Sequence, residues 1–203
     1  MTGYRLSSAI LLAGVLAVQI ANLIAVTSHG NKEFVLNIAA ATLLWAAYTV
    51  FEWVRGLKVD IYLRAMVVLA ILSDGFGGYV LNLYDACPAY DRVQHAFAIY
   101  AVALFSYSLA MKTLGNQASG QDPLTPKLRF LFVAALGLAA GALQEVAEFA
   151  ADAATQPMLL NQPSLIDTDL DLVSNVFGAL AAGLHAVYGR FAWNQSPVVR
   201  RQR

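Results

Sequence analysis

The chain has 203 residues, of which 59% are hydrophobic and only 13% are charged, and its 13 basic and 13 acidic residues cancel. Soluble domains usually carry about 25% charged residues, and no polar stretch here is long enough for a separate soluble domain, so the composition excludes a soluble protein. The basic residues form no patch for nucleic acid, and the single cysteine, Cys87, excludes an intramolecular disulfide. The sequence therefore predicts an integral membrane protein held together by helix packing.

Six apolar runs follow one another along the chain, each of about the 20 residues that a helix needs to cross a bilayer. The runs are Leu6–Val26, Phe34–Val54, Ile61–Leu83, Val93–Met111, Leu128–Ala151 and Leu170–Tyr188. The first begins after a basic residue, as a signal peptide does, but it is longer than the 7–15-residue apolar region of a signal peptide. We therefore expect a retained first span and an all-α bundle of six transmembrane helices.

The basic residues are distributed unequally between alternate loops. Two of them, Lys32 and Arg92, fall on one side of the membrane. The other eleven fall on the opposite side and are Arg5, Arg55, Lys58, Arg64, Lys112, Lys127, Arg129, Arg190, Arg200, Arg201 and Arg203. The positive-inside rule then predicts that both termini are cytoplasmic and that the first loop, the third and the fifth face outward.

The first two spans carry little polar content compared with the last four. Glu52, near the end of the second span, lies beside Arg55, which predicts an ion pair at the membrane interface. We expect one transmembrane domain over residues 1–203, with two peripheral spans in 1–60 and a four-helix core in 61–190 that carries the polar site.

The third span contains an acidic residue within a glycine-rich stretch, Asp74-Gly75-Phe76-Gly77-Gly78. No strand precedes these glycines and they lie at membrane depth, so a nucleotide-binding loop is excluded. Close helix packing or a local break of the helix explains them better. Asp74 is the deepest carboxylate, and we expect it to be protonated or catalytic.

The fourth span begins with Asp91 and His95, which lie one turn apart on one face. There a carboxylate can orient an imidazole, or both side chains can bind one cation. A lone histidine is usually structural, but His29 lies in a loop and His185 at the far end, whereas His95 lies at the level of the acidic residues. Asp91 and His95 join Asp74 as catalytic candidates.

On the fifth span, glycines and acidic residues recur at helical spacing and therefore share one face. Its members are Gly137, Gly141, Glu145, Glu148 and Asp152. Small residues let a neighbouring helix approach closely, so this face is predicted to point into the bundle.

The sixth span repeats the pattern with Asp167, Asp171, Asn175 and Gly178 on one face. Ser164 and Asp167 also match the capping pattern of a helix start, which is an alternative role for Asp167. Asp171 and Asn175 lie too far inside the span for capping. Before this span, residues 153–164 include two prolines and an apolar centre, which predicts either a lid over the acids or a loop resting on lipid.

The acidic residues and His95 together suggest a metal site at the outward end of the bundle. We expect His95, Glu145, Glu148 and Asp171 to be the ligands, with Asp167 and Asn175 supporting them. Such a mostly oxygen site suits Mg²⁺, Mn²⁺ or Ca²⁺, and the imidazole also admits Zn²⁺.

The combined pattern resembles the YjdF-type family of bacterial inner-membrane proteins and, more distantly, the VanZ-like proteins. The residues that carry the resemblance lie between Ile61 and Tyr188 and are Tyr90, Asp91, Arg92, His95, Glu145, Glu148, Asp167, Thr168, Asp171, Asn175 and Gly178. The resemblance implies a bacterial inner-membrane location and a shared polar site, and it implies no particular reaction.

Three functions fit these observations. The first is a metal-dependent enzyme that acts on a lipid or lipid-linked substrate at the outer leaflet, with the bilayer as its partner. The second is a proton- or ion-coupled transporter in which Asp74 carries a proton inward, although the inner halves of the fourth and fifth spans are almost wholly apolar. The third is a non-catalytic protein whose polar groups fix the bundle or bind a partner.

Overall fold

The structure is a computed structural model that describes residues 2–31, 34–114, 124–155 and 161–189. Within those ranges the chain is helical and has no strand. Its elements are α1 (Thr2–Ser28), α2 (Val35–Arg55), α3 (Ile61–Leu72) with a π-helical segment (Ser73–Val80), α4 (Leu83–Ala86), α5 (Pro88–Leu114), α6 (Pro126–Thr155) and α7 (Leu165–Tyr188). Six helices, counting α3 and the π-helical segment as one, are long and apolar enough to cross a membrane. The prediction of a six-span, all-α protein is confirmed.

Two of the spans begin about one turn earlier than their apolar runs. The helix α5 begins at Pro88 instead of Val93, and α7 begins at Leu165 instead of Leu170. At α7 the Ser164 hydroxyl accepts a hydrogen bond from the backbone N–H of Asp167, as the capping pattern predicts. The acidic first turns therefore belong to the helices, which brings their carboxylates into the bundle.

The tightest packing joins α5, α6 and α7 through small residues. A Cβ at Gly137 would lie 2.7 Å from the Cβ of Ala179, and a Cβ at Gly178 would collide with the carbonyl oxygen of Ala96. A Cβ at Gly141 would lie 2.8 Å from the Cβ of Asn175. These approaches confirm that the glycine face of α6 points inward, and they set the distances between the acidic faces of three helices.

The helices α1, α2 and α3 pack against the side of this group formed by α5. Val15, Trp45, Met66 and Ala101, one from each of the four helices, share a buried apolar cluster. The end of α1 also lies against the π-helical segment, where Gln19 and Asn22 are buried beside Gly75.

The third span contains a π-helical segment instead of a break. Side chains of α5 donate to backbone carbonyls where α3 passes into this segment. The Tyr90 hydroxyl donates to the Ser73 carbonyl at 2.6 Å, and Gln94 Nε2 donates to the Ala70 carbonyl at 2.8 Å. The glycines serve close packing, since a Cβ at Gly77 would collide with the hydroxyl of Tyr90.

The predicted ion pair between Glu52 and Arg55 is wrong. Arg55 is exposed in the last turn of α2, whereas Glu52 lies on the inner face of that helix. Gly56, with a φ of 65°, ends α2, and the chain returns so that Arg64 of α3 lies 3.4 Å from Glu52. Arg64 is 2% exposed, so it is an interior residue and not a surface anchor.

Candidate functional site

His95 lies at the centre of a polar cluster formed by α5, α6 and α7. Its Nε2 is 3.4 Å from Asp91 Oδ1 and 3.6 Å from Asp171 Oδ1. Its Nδ1 is 3.6 Å from Glu145 Oε1 and 3.3 Å from Asn175 Oδ1. His95 is 5% exposed, so one buried ring joins the acidic faces of three helices.

One half of the cluster contains a cation of the protein itself. The Arg92 guanidinium forms ion pairs with Asp91 at 2.8 Å and with Asp167 and Asp171. From the sequence, Arg92 is a basic residue of an outward connection and part of the family resemblance, and its ion pairs with the acids were missed. Its position next to Asp91, in the first turn of α5, could have indicated that Arg92 pairs with the acids.

The other half of the cluster contains Glu145 and Glu148. Among the described residues, neither forms an ion pair with a lysine or arginine, and His95 is the only basic group that contacts Glu145. Amide groups surround them instead. Glu145 Oε1 accepts from Asn175 Nδ2 at 3.3 Å, and Glu148 Oε1 accepts from Gln144 Nε2 at 3.2 Å.

Two groups of side chains are arranged so that they could hold a metal ion, and they share His95. The first contains Asp91 and Asp171, and the second contains Glu145 and Glu148; within each group the ligand atoms lie within 4.8 Å of one another. Arg92 already supplies a positive charge to both carboxylates of the first group. The second group, which has only acceptors and His95, is the better candidate for a cation.

Asp74 lies outside both groups and contacts a tyrosine instead. The Tyr84 hydroxyl donates to Asp74 Oδ1 at 2.5 Å. Burial and the negative charge of Asp74 raise the pKa of Tyr84, so its hydroxyl stays protonated and remains a donor. The Tyr84 ring lies over Gly78, where a Cβ would collide with it.

Asp152, the last acid on the α6 face, binds the connection to α7. Its carboxylate accepts hydrogen bonds from the backbone N–H groups of Asn161 at 2.8 Å and of Gln162 at 2.9 Å. Asn37 of α2 donates to Asn161 Oδ1 at 2.8 Å. The end of this connection is therefore held at the cluster; residues 156–160, the apolar centre of the predicted lid, lie outside the described residues.

The family model described as "Predicted membrane protein (DUF2238)" matches residues 8–191. The chain belongs to this family. A search of the curated proteins and a search of the solved structures each found no significant match. The relationships to the YjdF-type and VanZ-like proteins stay predictions.

The part of the chain that matches the DUF2238 family includes Asp74 and all of the polar cluster, from Asp91 to Asn175. The family description supplies a membrane location and no reaction. The cluster consists of carboxylates and an imidazole in a largely apolar bundle. Its basic groups are too few to neutralise the carboxylates.

Proposed function

We propose that this protein is a metal-dependent enzyme of the bacterial inner membrane that acts on a lipid or lipid-linked substrate. In this proposal both termini are cytoplasmic and the polar cluster opens toward the extracytoplasmic leaflet. The distribution of basic residues between alternate connections supports that orientation.

The observation that carries the proposal is the pair Glu145 and Glu148 beside His95 without a lysine or arginine among the described residues. The cluster holds five carboxylates, whereas Arg92 and a protonated His95 supply at most two positive charges, which leaves a net charge of −3. Buried charges are costly unless they are paired or coordinate a metal. A divalent cation bound by these three side chains would displace the proton of His95, because a ligating imidazole is neutral, and would leave a net charge of −2.

In this proposal each side chain has a defined task. Glu145, Glu148 and the His95 imidazole hold the cation, which polarises a phosphoryl oxygen or activates water when bound. Asp91, whose Oδ1 lies 3.4 Å from Nε2 on the other side of the ring, orients the imidazole. Asp171 is the fourth predicted ligand, although its ion pair with Arg92 now competes with that role.

A lipid substrate suits the depth of the site. His95 is seven residues after the start of α5, which places it roughly 10 Å along the helix axis. The cluster therefore lies within reach of a headgroup at the membrane surface, and exposed apolar side chains such as Val93, Val146 and Phe149 face outward beside it.

Transport is less well supported because a buried apolar cluster lies between α3, α5 and α6 on the opposite side of the site. Its members include Leu63, Leu104, Tyr107 and Val133, each 1% exposed or less. The buried ion pair on that side, between Glu52 and Arg64, joins α2 to α3.

The first test is metal binding. We expect the purified protein to contain about one divalent cation per chain by elemental analysis, or to bind Mn²⁺ with that stoichiometry after treatment with a chelator. Glu148→Gln should remove this binding, whereas Asp169→Asn, which changes an exposed acid on α7, should retain it. A wild-type protein that binds no divalent cation would show that the proposal is wrong.

The second test concerns catalysis. The wild type and Glu148→Gln would be reconstituted with Mn²⁺ into vesicles of bacterial lipid extract, and the lipids compared by mass spectrometry. Enzymatic activity predicts a product that appears only with the wild type. Metal binding without any product in extracts that include lipid-linked precursors would favour a non-catalytic role.

A further inference from the structure

Gln162 is held directly over one of the two proposed glutamate ligands. Its Nε2 donates to Glu145 Oε2 at 3.1 Å and to the Glu145 backbone carbonyl at 3.0 Å. The two contacts fix both the side chain and the main chain of Glu145 with one amide group.

Because of this contact, the two carboxylate oxygens of Glu145 have different partners. Oε1 lies 3.6 Å from His95 Nδ1 and accepts one hydrogen bond, from Asn175 Nδ2 at 3.3 Å. Oε2 accepts from Gln162. Coordination of a cation by both oxygens would turn Oε2 toward the cation and compete with the Gln162 contact, so Gln162 in place favours coordination through Oε1 alone.

The backbone that carries Gln162 is held in place. Asp152, which is 6% exposed, accepts hydrogen bonds from two consecutive backbone N–H groups, those of Asn161 and Gln162. Asn161 Nδ2 also donates to Asp152 at 2.8 Å, and Asn37 of α2 holds Asn161 from the other side. The main chain at Gln162 is therefore fixed beside Glu145, and a rotation of the side chain away from Glu145 would lose both contacts of its amide group.

The number of oxygens that a carboxylate supplies affects which cation it prefers. Ca²⁺ takes six to eight oxygen ligands at 2.3–2.6 Å and commonly uses carboxylates in a bidentate way, whereas Mg²⁺ requires a compact octahedron. Mn²⁺ suits similar oxygen ligands. A glutamate restricted to one oxygen thus favours the smaller ions.

We propose that Gln162 determines the metal selectivity of the site by keeping Glu145 monodentate, so that the site prefers Mn²⁺ or Mg²⁺ to Ca²⁺. This inference rests on the proposed function, since it assumes that Glu145 binds a cation. It assigns to the α6–α7 connection a specific task in place of the general one of a lid.

The test compares Mn²⁺ and Ca²⁺ affinities of the full-length protein in detergent. Free Mn²⁺ would be measured by electron paramagnetic resonance, and Ca²⁺ by its competition with Mn²⁺. Gln162→Met keeps the length of the side chain and removes the donor. We expect the preference for Mn²⁺ over Ca²⁺ to fall about tenfold, the scale of one hydrogen bond to a charged group. Gln162→Asn, whose amide is one methylene shorter, should change the preference in the same direction.

Asp169→Asn is the matched control, because it changes an exposed polar residue of the neighbouring helix and should retain the wild-type preference. If the wild type binds Mn²⁺ and both Gln162 variants weaken the binding of the two ions equally, the selectivity role is wrong and the cation site is retained. If the wild type binds neither ion, both the cation site and this inference are wrong. Should one Gln162 variant fail to fold, as judged by gel filtration, the other decides the outcome.

Discussion

Arg64 Nη1 lies 3.4 Å from Glu52 Oε2, and both side chains are almost entirely buried, at 2% and 1% exposure. The Glu52 carboxylate also accepts hydrogen bonds from Tyr4, from Tyr48 at 2.6 Å and from Ser8 at 3.2 Å. The Arg64 guanidinium lies over the Tyr4 ring, 4.6 Å from its centroid. This ion pair therefore joins the first turns of α1 to α2 and α3.

Removing one partner of this ion pair should destabilise the protein strongly. Arg64→Met leaves Glu52 buried and uncompensated, and such losses typically cost about 3–5 kcal/mol. Thermal unfolding in detergent, followed by circular dichroism, measures the effect. Glu52→Gln combined with Arg64→Met should recover part of the stability. Arg55→Met, at the exposed arginine three residues after Glu52, should have almost no effect; equal losses in Arg55→Met and Arg64→Met would contradict the assignment.

Removing Arg92 should create a second cation site. Without its guanidinium, the carboxylates of Asp91, Asp167 and Asp171, which all form ion pairs with Arg92, lose their shared cation, while His95 remains a ligand of the first metal ion. We expect Arg92→Ala to bind about two Mn²⁺ ions per chain instead of one, measured by electron paramagnetic resonance, because the carboxylates need another cation. Arg55→Ala serves as the control. An unchanged stoichiometry in a folded Arg92→Ala protein would show that this group does not bind metal.

A methyl group at Gly78 should displace the Tyr84 ring. The added Cβ would collide with that ring, so the ring must move and its hydrogen bond to Asp74 must lengthen. Overpacking of this kind costs about 1–3 kcal/mol, measured as a lower unfolding temperature of Gly78→Ala. The stability lost through Gly78→Ala should be smaller in a protein that already carries Tyr84→Ala. At Gly14, where a Cβ meets nothing within 4 Å, alanine should be neutral or stabilising; a similar loss at both glycines would refute the packing explanation.

Cys87 offers a direct test of orientation. It is an exposed free cysteine, and no other cysteine competes with it. Because the connection between α4 and α5 is predicted to face outward, a membrane-impermeant maleimide should label Cys87 in spheroplasts without permeabilisation. The matched protein carries Cys87→Ser and Lys127→Cys, at an exposed position beside the start of α6, and should react only after permeabilisation. The reverse pattern would invert the topology.

The spans and the inward faces were predictable because they depend on local properties. The length of an apolar run and the helical spacing of Gly137, Gly141 and Glu145 are visible in a short window of sequence. The capping of α7 by Ser164 was predictable for the same reason, since donor and acceptor lie three residues apart. The π-helical geometry around Asp74 was not predictable in this way, because the contacts at the start of that segment come from another helix, where Tyr90 and Gln94 donate to the carbonyls of Ser73 and Ala70.

The sequence by itself determined that this is a six-span membrane protein with acids and one central histidine on facing helices. Only the tertiary structure decided how the charges pair: Arg92 binds Asp171, 79 residues away, and Arg64 takes the place expected of Arg55. Close contacts between small residues, such as Gly178 against the backbone of Ala96, set how far each helix is rotated and how near it approaches. Because that rotation and approach are properties of two helices together, no single helix encodes which basic residue meets which acid.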